Sequence, residues 1–224
     1  MKLAIMAATG GVGQQLLRQA LAAGHDVTAV VRNPAKIPAD LREARIVTAD
    51  LAAPQPSVLE AAIAGTDAVV SGLGPASNSS AGIAARGTRA IAAAMDATAV
   101  KRLVVISAAP VGTVPSPGRP TPPKHDPGDG FFMRRLGAPF ARAAFGMVYA
   151  DLAAMEDLLR DSGLDWTVIR PPKLTSKPLT GHYRTATGQN VRGGFSVPRA
   201  DVAHLMLAVL SQPGTIGQII GIAS

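Results

Sequence analysis

The sequence predicts one α/β domain over residues 1–224, a doubly wound and mainly parallel sheet flanked by helices. Three observations carry this. Short apolar runs alternate with longer Ala-rich stretches of helical period, the pattern of successive βαβ units. Hydrophobic residues make up 47% of the chain and aromatic ones only 4%, so the core is built from Ala, Val, Leu and Ile, as where close-packed helices cover both faces of a sheet. The length of 224 residues suffices for one well-buried core, and no shift in composition divides it.

Taken in order, strands are expected at 2–7, 26–31, 44–48, 67–72, 102–107 and 165–169. Helices fall between them at 11–23, 57–64, 79–98 and 148–162. Gly24, Gly65 and Gly163 stand just past three of the helix ends, where a left-handed residue closes the last turn. Ser57 with Glu60 reads as a capping box. The remainder reads as a hairpin-like segment over 181–197, a helix at 199–211 with Asp201 in its first turn, and a final strand at 216–222.

One stretch breaks the rhythm. Ala109 to Gly130, "APVGTVPSPGRPTPPKHDPGDG", is too rich in Pro and Gly for helix or central strand. Loops of such length are functional covers or disordered, and this one leaves the carboxyl end of a predicted strand, where open α/β sheets bind ligands. The next stretch, "FFMRRLGAPFARAAFGM", reads either as a surface helix or as a lid or dimer-contact segment.

Composition excludes several functions. There is no cysteine, hence no disulfide, thiolate nucleophile or Cys-ligated metal, and His25, His125, His182 and His204 lack metal-ligand spacing; no metal is expected. The net charge of +7 favours anionic ligands, but the cations are scattered and no nucleic-acid motif is present. No apolar stretch is long enough to span a bilayer. These features predict a cytoplasmic protein, a monomer or homodimer, that acts on a small molecule and contacts neither nucleic acid nor membrane.

The opening "LAIMAATGGVGQQLL", Leu3 to Leu17, supplies a buried strand, a tight turn and a helix amino terminus, the three parts of a dinucleotide-binding turn. Gly10 and Gly13 sit three apart, so the helix can start with its backbone open to phosphate oxygens and its first turn close against the sheet. Ala7 stands where such a fingerprint has its first glycine: a methyl costs little there at negative φ and about 1 kcal/mol at positive φ. After the second strand comes Arg32, where an NAD-preferring site has an acid for the ribose 2′-hydroxyl, and no Asp or Glu follows before Asp40. Arg32 with Lys36 fits the 2′-phosphate of NADPH, the alternative being two surface cations. Asp50, followed by Leu51, meets the adenine edge or caps a helix; Gly72, Leu73 and Gly74 form a ligand-approaching or an ordinary turn. Ser107 ends the fifth strand on the ligand edge, as a site residue or a turn residue.

"ATGGVG" (8–13), "VTAVVRNPAKIP" (27–38), "DAVVSGLG" (67–74), "VVISA" (104–108), "LLRDSGLDWTVIRPP" (158–172), "KPLTGHY" (177–183) and "RADVAHLML" (199–207) together resemble the atypical short-chain dehydrogenase/reductase-like proteins that bind NAD(P)H, in particular the biliverdin reductase B or flavin reductase group. The likeness spans nearly the whole chain except 109–147. It implies a Rossmann-type domain that binds NADPH, with the pyrophosphate at Thr9, Gly10, Gly11, Val12 and Gly13, Arg32 and Lys36 on the 2′-phosphate, Ser107 and Ala108 near the nicotinamide and the backbone of Pro171 and Pro172 on its carboxamide.

The chain also departs from that family. Short-chain dehydrogenases with an acid catalyst carry a Tyr followed four positions later by Lys, whereas Tyr149 is followed by Ala153. Lys173 replaces a histidine of the resembled group, and would donate a proton, bind an anionic substrate or simply face solvent. The resulting expectation is an NADPH-dependent reductase passing hydride to a flavin, tetrapyrrole or quinone, with Ser107 polarising or positioning the acceptor and Lys173 or water supplying the proton. The alternative is an NADP(H)-binding sensor of the NmrA-like type without turnover.

Overall fold

The computed structural model describes residues 1–130, 135 and 138–224, and of 138–142 the backbone only. In chain order the strands are β1 (Lys2–Met6), β2 (Asp26–Val31), β3 (Arg45–Thr48), β4 (Ala68–Ser71), β5 (Arg102–Ile106), β6 (Asp165–Arg170), β7 (Lys173–Thr175), β8 (Arg184–Thr187), β9 (Ser196–Pro198) and β10 (Gln218–Ala223). The helices are α1 (Gly11–Ala22), α2 (Pro56–Ile63), α3 (Ile83–Ala97), α4 (Ala138–Arg160) and α5 (Arg199–Ala208). The main sheet has the order β3-β2-β1-β4-β5-β6-β10-β8. All its pairings are parallel except that of β8 with β10. Strand order reverses between β1 and β4, so the ligand crevice of such a sheet lies beyond their carboxyl ends.

Both faces of this sheet are covered, which is why its strands read as unbroken apolar runs. Along β1, Leu3 and Ile5 join the core under α1 and α5, while Ala4 and Met6 join the core under α2, α3 and α4. In β5, Val104 and Ile106 take the first side, Leu103 and Val105 the second. Leu16, Leu17, Ile91, Met95 and Leu159 are fully buried, each stabilising the fold by about 1.5–3 kcal/mol relative to exposure. Among the described residues no helix is long and apolar enough to cross a membrane.

The expected βαβ order is present, and Gly24, Gly65 and Gly163 adopt φ of +74°, +73° and +64°. Three local expectations are corrected. The Ser57–Glu60 capping box does not form: Pro56 already occupies the first turn of α2, and Gln55 is its amino-terminal boundary. The helix expected from 79 begins at Ile83, because Gly82 takes φ +93° and breaks the run. In place of a local cap, the α4 residue Asp151 accepts the N–H groups of Ala84 and Ala85, both at 2.9 Å. The segment 181–197 is no hairpin: β8 pairs with β10, whereas β9 pairs with β7, a strand the sequence did not reveal. Asp201 is buried and holds the 177–183 turn, accepting from the Thr180 N–H (2.9 Å), the Gly181 N–H (3.0 Å) and the Thr180 hydroxyl (2.7 Å).

The Pro-rich stretch 109–130 is a loop, opened by a 3-10 turn over Ala109–Thr113. It is fastened to the body of the domain. Asp126 Oδ1 accepts the N–H groups of Gly128 (2.9 Å) and Asn190 (2.8 Å), and the Gly118 N–H donates to Asp157 Oδ2 at 2.8 Å. A Cβ at Gly128 would fall 1.8 Å from the Asn190 carbonyl oxygen, so only glycine permits that approach. The surface-helix and lid readings of "FFMRRLGAPFARAAFGM" fall in part on 131–134, 136 and 137, outside the described residues; from Ala138 the chain is helical, with a break at Phe145 (φ −130°, ψ 26°).

Candidate functional site

The turn after β1 begins on Ala7, whose φ of +56° places it in the left-handed region, a strain of about 1 kcal/mol for a residue with a Cβ. Its carbonyl accepts the Gly10 N–H at 2.9 Å. Gly10 then starts α1 without a side-chain cap, and the first turn holds no acidic residue. The leading N–H groups of α1, and its positive dipole end, are thus left for an anion. A Cβ at Gly13 would lie 2.2 Å from the Ala7 oxygen, and one at Gly72 would lie 3.1 Å from the Gly13 nitrogen. These two glycines keep α1 close to the ends of β1 and β4. Val12 is buried, so only its backbone is available, while the Thr9 carbonyl accepts from Gln14 Nε2 at 3.3 Å.

Beyond β2, Arg32 is exposed and lines a cleft with Thr48, Ala49, Asp50, Ala53, Gln55 and Val58. Asn33 caps a short turn over Pro34–Lys36 by accepting the Ala35 N–H at 3.0 Å. Asp40, the first acid after β2, is paired with Arg18. Among the described residues no carboxylate makes an ion pair with Arg32 or Lys36. Asp50 does not cap α2; its Oδ1 accepts the Ala52 N–H at 3.0 Å, an Asx turn that keeps it on the cleft wall. Gln55 shares that wall and was not anticipated. Leu51 and Leu73 belong to the core, where Leu73 lies against Gly87, while Gly74 is exposed with open space around it.

At the ends of β5 and β6 a buried polar cluster appears. The Ser107 hydroxyl donates to Glu156 Oε1 at 2.7 Å. Arg170 donates from Nε to the same oxygen at 2.8 Å and from Nη2 to Oε2, and Arg160 approaches Oε2 at 3.4 Å. Glu156 and Arg170 are 2% and 3% exposed, a pairing that satisfies both buried charges. With its one proton given to Glu156, Ser107 offers lone pairs to a neighbouring ligand. Of the two expected roles, polarising or positioning an acceptor, this bond suits positioning, since toward a ligand the hydroxyl accepts. Glu156 and Arg170 were not singled out from the sequence, although an arginine ending a strand of apolar residues is a signal for a buried partner.

Ala108 is half-buried and leads into the 3-10 turn. Pro171 and Pro172 have no N–H, so their backbone offers only carbonyls, and that of Pro171 accepts the Ala109 N–H at 2.9 Å. Lys173 opens β7 opposite Ser196 and is exposed. Tyr149 is half-buried, its ring edge-on to Phe145 at 6.2 Å, and burial pushes its phenol pKa up. The residue four positions on, where a lysine would act in the opposite direction, is the buried Ala153.

Comparison with solved structures places the whole chain on a known fold. A short-chain dehydrogenase/reductase from Veillonella parvula in complex with NADP is 18% identical, with a TM-score of 0.78 over 100% of this chain and 94% of that one. ChuY, an anaerobillin reductase from Escherichia coli O157:H7, is 23% identical, with a TM-score of 0.74 over 100% and 97%. A Rossmann-fold NAD(P)-binding family protein from Shigella flexneri is 24% identical, with a TM-score of 0.68 over 100% and 93%. A family model described as NAD(P)H-binding matches residues 7–213. That match starts on the strained Ala7 and takes in α1, the end of β2 and the Ser107–Glu156–Arg170 cluster, and the chain belongs to the NAD(P)H-binding family.

Proposed function

We propose that the chain is an NADPH-dependent reductase passing hydride to a conjugated acceptor such as a flavin, a tetrapyrrole or a quinone. The observation that carries the coenzyme choice is the charge beyond β2. Among the described residues neither Arg32 nor Lys36 has an ion-pair partner, and Asp40, the first acid after β2 along the chain, is engaged by Arg18. The end of β2 thus presents cations for a 2′-phosphate at the position where a diol-binding site has its carboxylate, while Asp50 stands on the cleft wall with Oδ1 on the Ala52 N–H.

The residues present fit the coenzyme. The uncapped start of α1 would hold the pyrophosphate on backbone N–H groups, with Gly13 and Gly72 keeping side chains away. The cleft of Thr48, Asp50 and Gln55 would take the adenine. Ser107 and the Pro172 carbonyl, both acceptors, suit the N–H donors of the carboxamide. When bound, the reduced nicotinamide supplies the hydride. The chain supplies orientation, with Lys173 at the edge as a cation for an anionic acceptor or as a proton source. The choice of acceptors is guided by a protein of the same fold named as an anaerobillin reductase and by another holding NADP.

The test is thermal unfolding with NADPH and NADH side by side, followed by NADPH oxidation with flavins, biliverdin and quinones. Preferential stabilisation by NADPH and turnover with one acceptor class are expected. Equal stabilisation by both coenzymes removes the Arg32 assignment, and inactivity across the panel removes the reductase. One observation favours a second reading, an NADP(H) sensor without turnover: Ala153 follows Tyr149 and the Ser107 proton is committed to Glu156, so neither is a ready acid. A sensor would bind oxidised and reduced coenzyme equally and oxidise none.

A further inference from the structure

We infer that Arg199 is a second arginine of the coenzyme site, closing on the pyrophosphate from the α5 side; this rests on the coenzyme reading above. Arg199 is the first residue of α5. Its side chain lies across the first turn of α1, where a Cβ built on Gly11 would meet Arg199 Nε at 2.8 Å and Cδ at 2.9 Å. The start of α5 is held in register there by Gln19 of α1, whose Nε2 donates to the Ala200 carbonyl at 2.9 Å. Gly11 leaves that space open, and a side chain there would make the Arg199 side chain shift off the helix end.

The electrostatics of that arrangement are incomplete without an anion. The amino end of α1 carries positive dipole charge and has neither a side-chain cap nor an acid in its first turn. A guanidinium laid over it adds charge of the same sign. Among the described residues Arg199 makes one long hydrogen bond, Nη1 to Ser176 Oγ at 3.3 Å. Among the described residues no carboxylate pairs with it. The nearby Asp201 is turned to Thr180 and Gly181. Two unneutralised positive features in contact suit a doubly charged pyrophosphate, bound by the α1 N–H groups on one side and the guanidinium on the other. Arg32 lies at the end of β2, so the two arginines divide the work: one on the phosphate peculiar to NADPH, the other on the phosphates common to both coenzymes.

The test is titration calorimetry of NADP+ and NAD+ on the full chain, comparing wild type, Arg199→Ala, Arg199→Lys and Arg32→Ala, with thermal unfolding of each protein without ligand. Arg199→Ala should weaken both coenzymes by a similar factor, on the order of tenfold. Arg199→Lys should fall between, because an ammonium keeps the charge and loses the fork. Arg32→Ala should weaken NADP+ selectively. Loss of NADP+ affinity alone in Arg199→Ala would move the guanidinium to the 2′-phosphate and overturn the assignment. Unchanged affinity with a lowered melting temperature would make Arg199 a fold contact only and would overturn it equally. Should Arg199→Ala fail to fold, Arg199→Lys carries the comparison: equal weakening of both coenzymes supports the assignment and no weakening defeats it. A wild type that binds neither coenzyme would instead remove the coenzyme reading itself.

Discussion

At Arg32 and Gly13 single substitutions separate recognition from shape. Arg32→Ala should weaken NADPH by about 1–3 kcal/mol, the worth of a charge-assisted contact, and leave NADH almost unchanged; paired titrations measure it. Gly13→Ala should abolish binding of both and lower stability by about 1–3 kcal/mol, since the new methyl meets the Ala7 carbonyl, which cannot step aside. The placement of both was legible in the sequence because it is local: a glycine in a strand-to-helix turn and a cation just after a strand. Ala7 was legible only as a question, since the sign of φ decides whether its methyl is strained, and no residue identity states that sign. Ser107 was found but its partner was not. Glu156 lies 49 positions away on α4, and nothing nearby in sequence announces a carboxylate that meets a serine only after the sheet has formed.

Among the elements, α3 depends on a neighbour for its start. Asp151 satisfies two backbone donors of α3 from α4, so Asp151→Ala should destabilise the protein by about 1–3 kcal/mol. Its melting temperature should fall by roughly 2–4 °C per kcal/mol for a domain of this size, measured without coenzyme. Strands buried on both faces were readable from their apolar runs. The short β7 was not, and the stretch holding β8 and β9 read as a hairpin, because three or four mixed residues carry no period and their pairing is decided by distant partners. The loop 109–130 was readable as a loop from its prolines, whereas its attachment depends on Asp126 meeting Asn190. Asp126→Ala should release the loop without unfolding the sheet, and hydrogen exchange over 109–130 should rise while exchange in β1 and β4 stays slow.

For the molecule as a whole, coenzyme and fold are linked: a ligand that binds only the folded form at a hundred times its Kd adds about 2.7 kcal/mol of stability. NADPH at that excess should raise the melting temperature by roughly 5–10 °C, less at high salt because the contacts are ionic. The doubly wound architecture was legible at this scale, since strand and helix alternate along the chain; the order of strands in the sheet was not, because β10 inserts between β6 and β8. That insertion makes β10 the keystone of the C-terminal half. A chain cut before Gln218 would present bare hydrogen-bonding groups along the flank of β6, and β8 would have nothing to lie against. Such a fragment should self-associate, visible as heavy species in light scattering, and would not persist as a slightly weakened monomer.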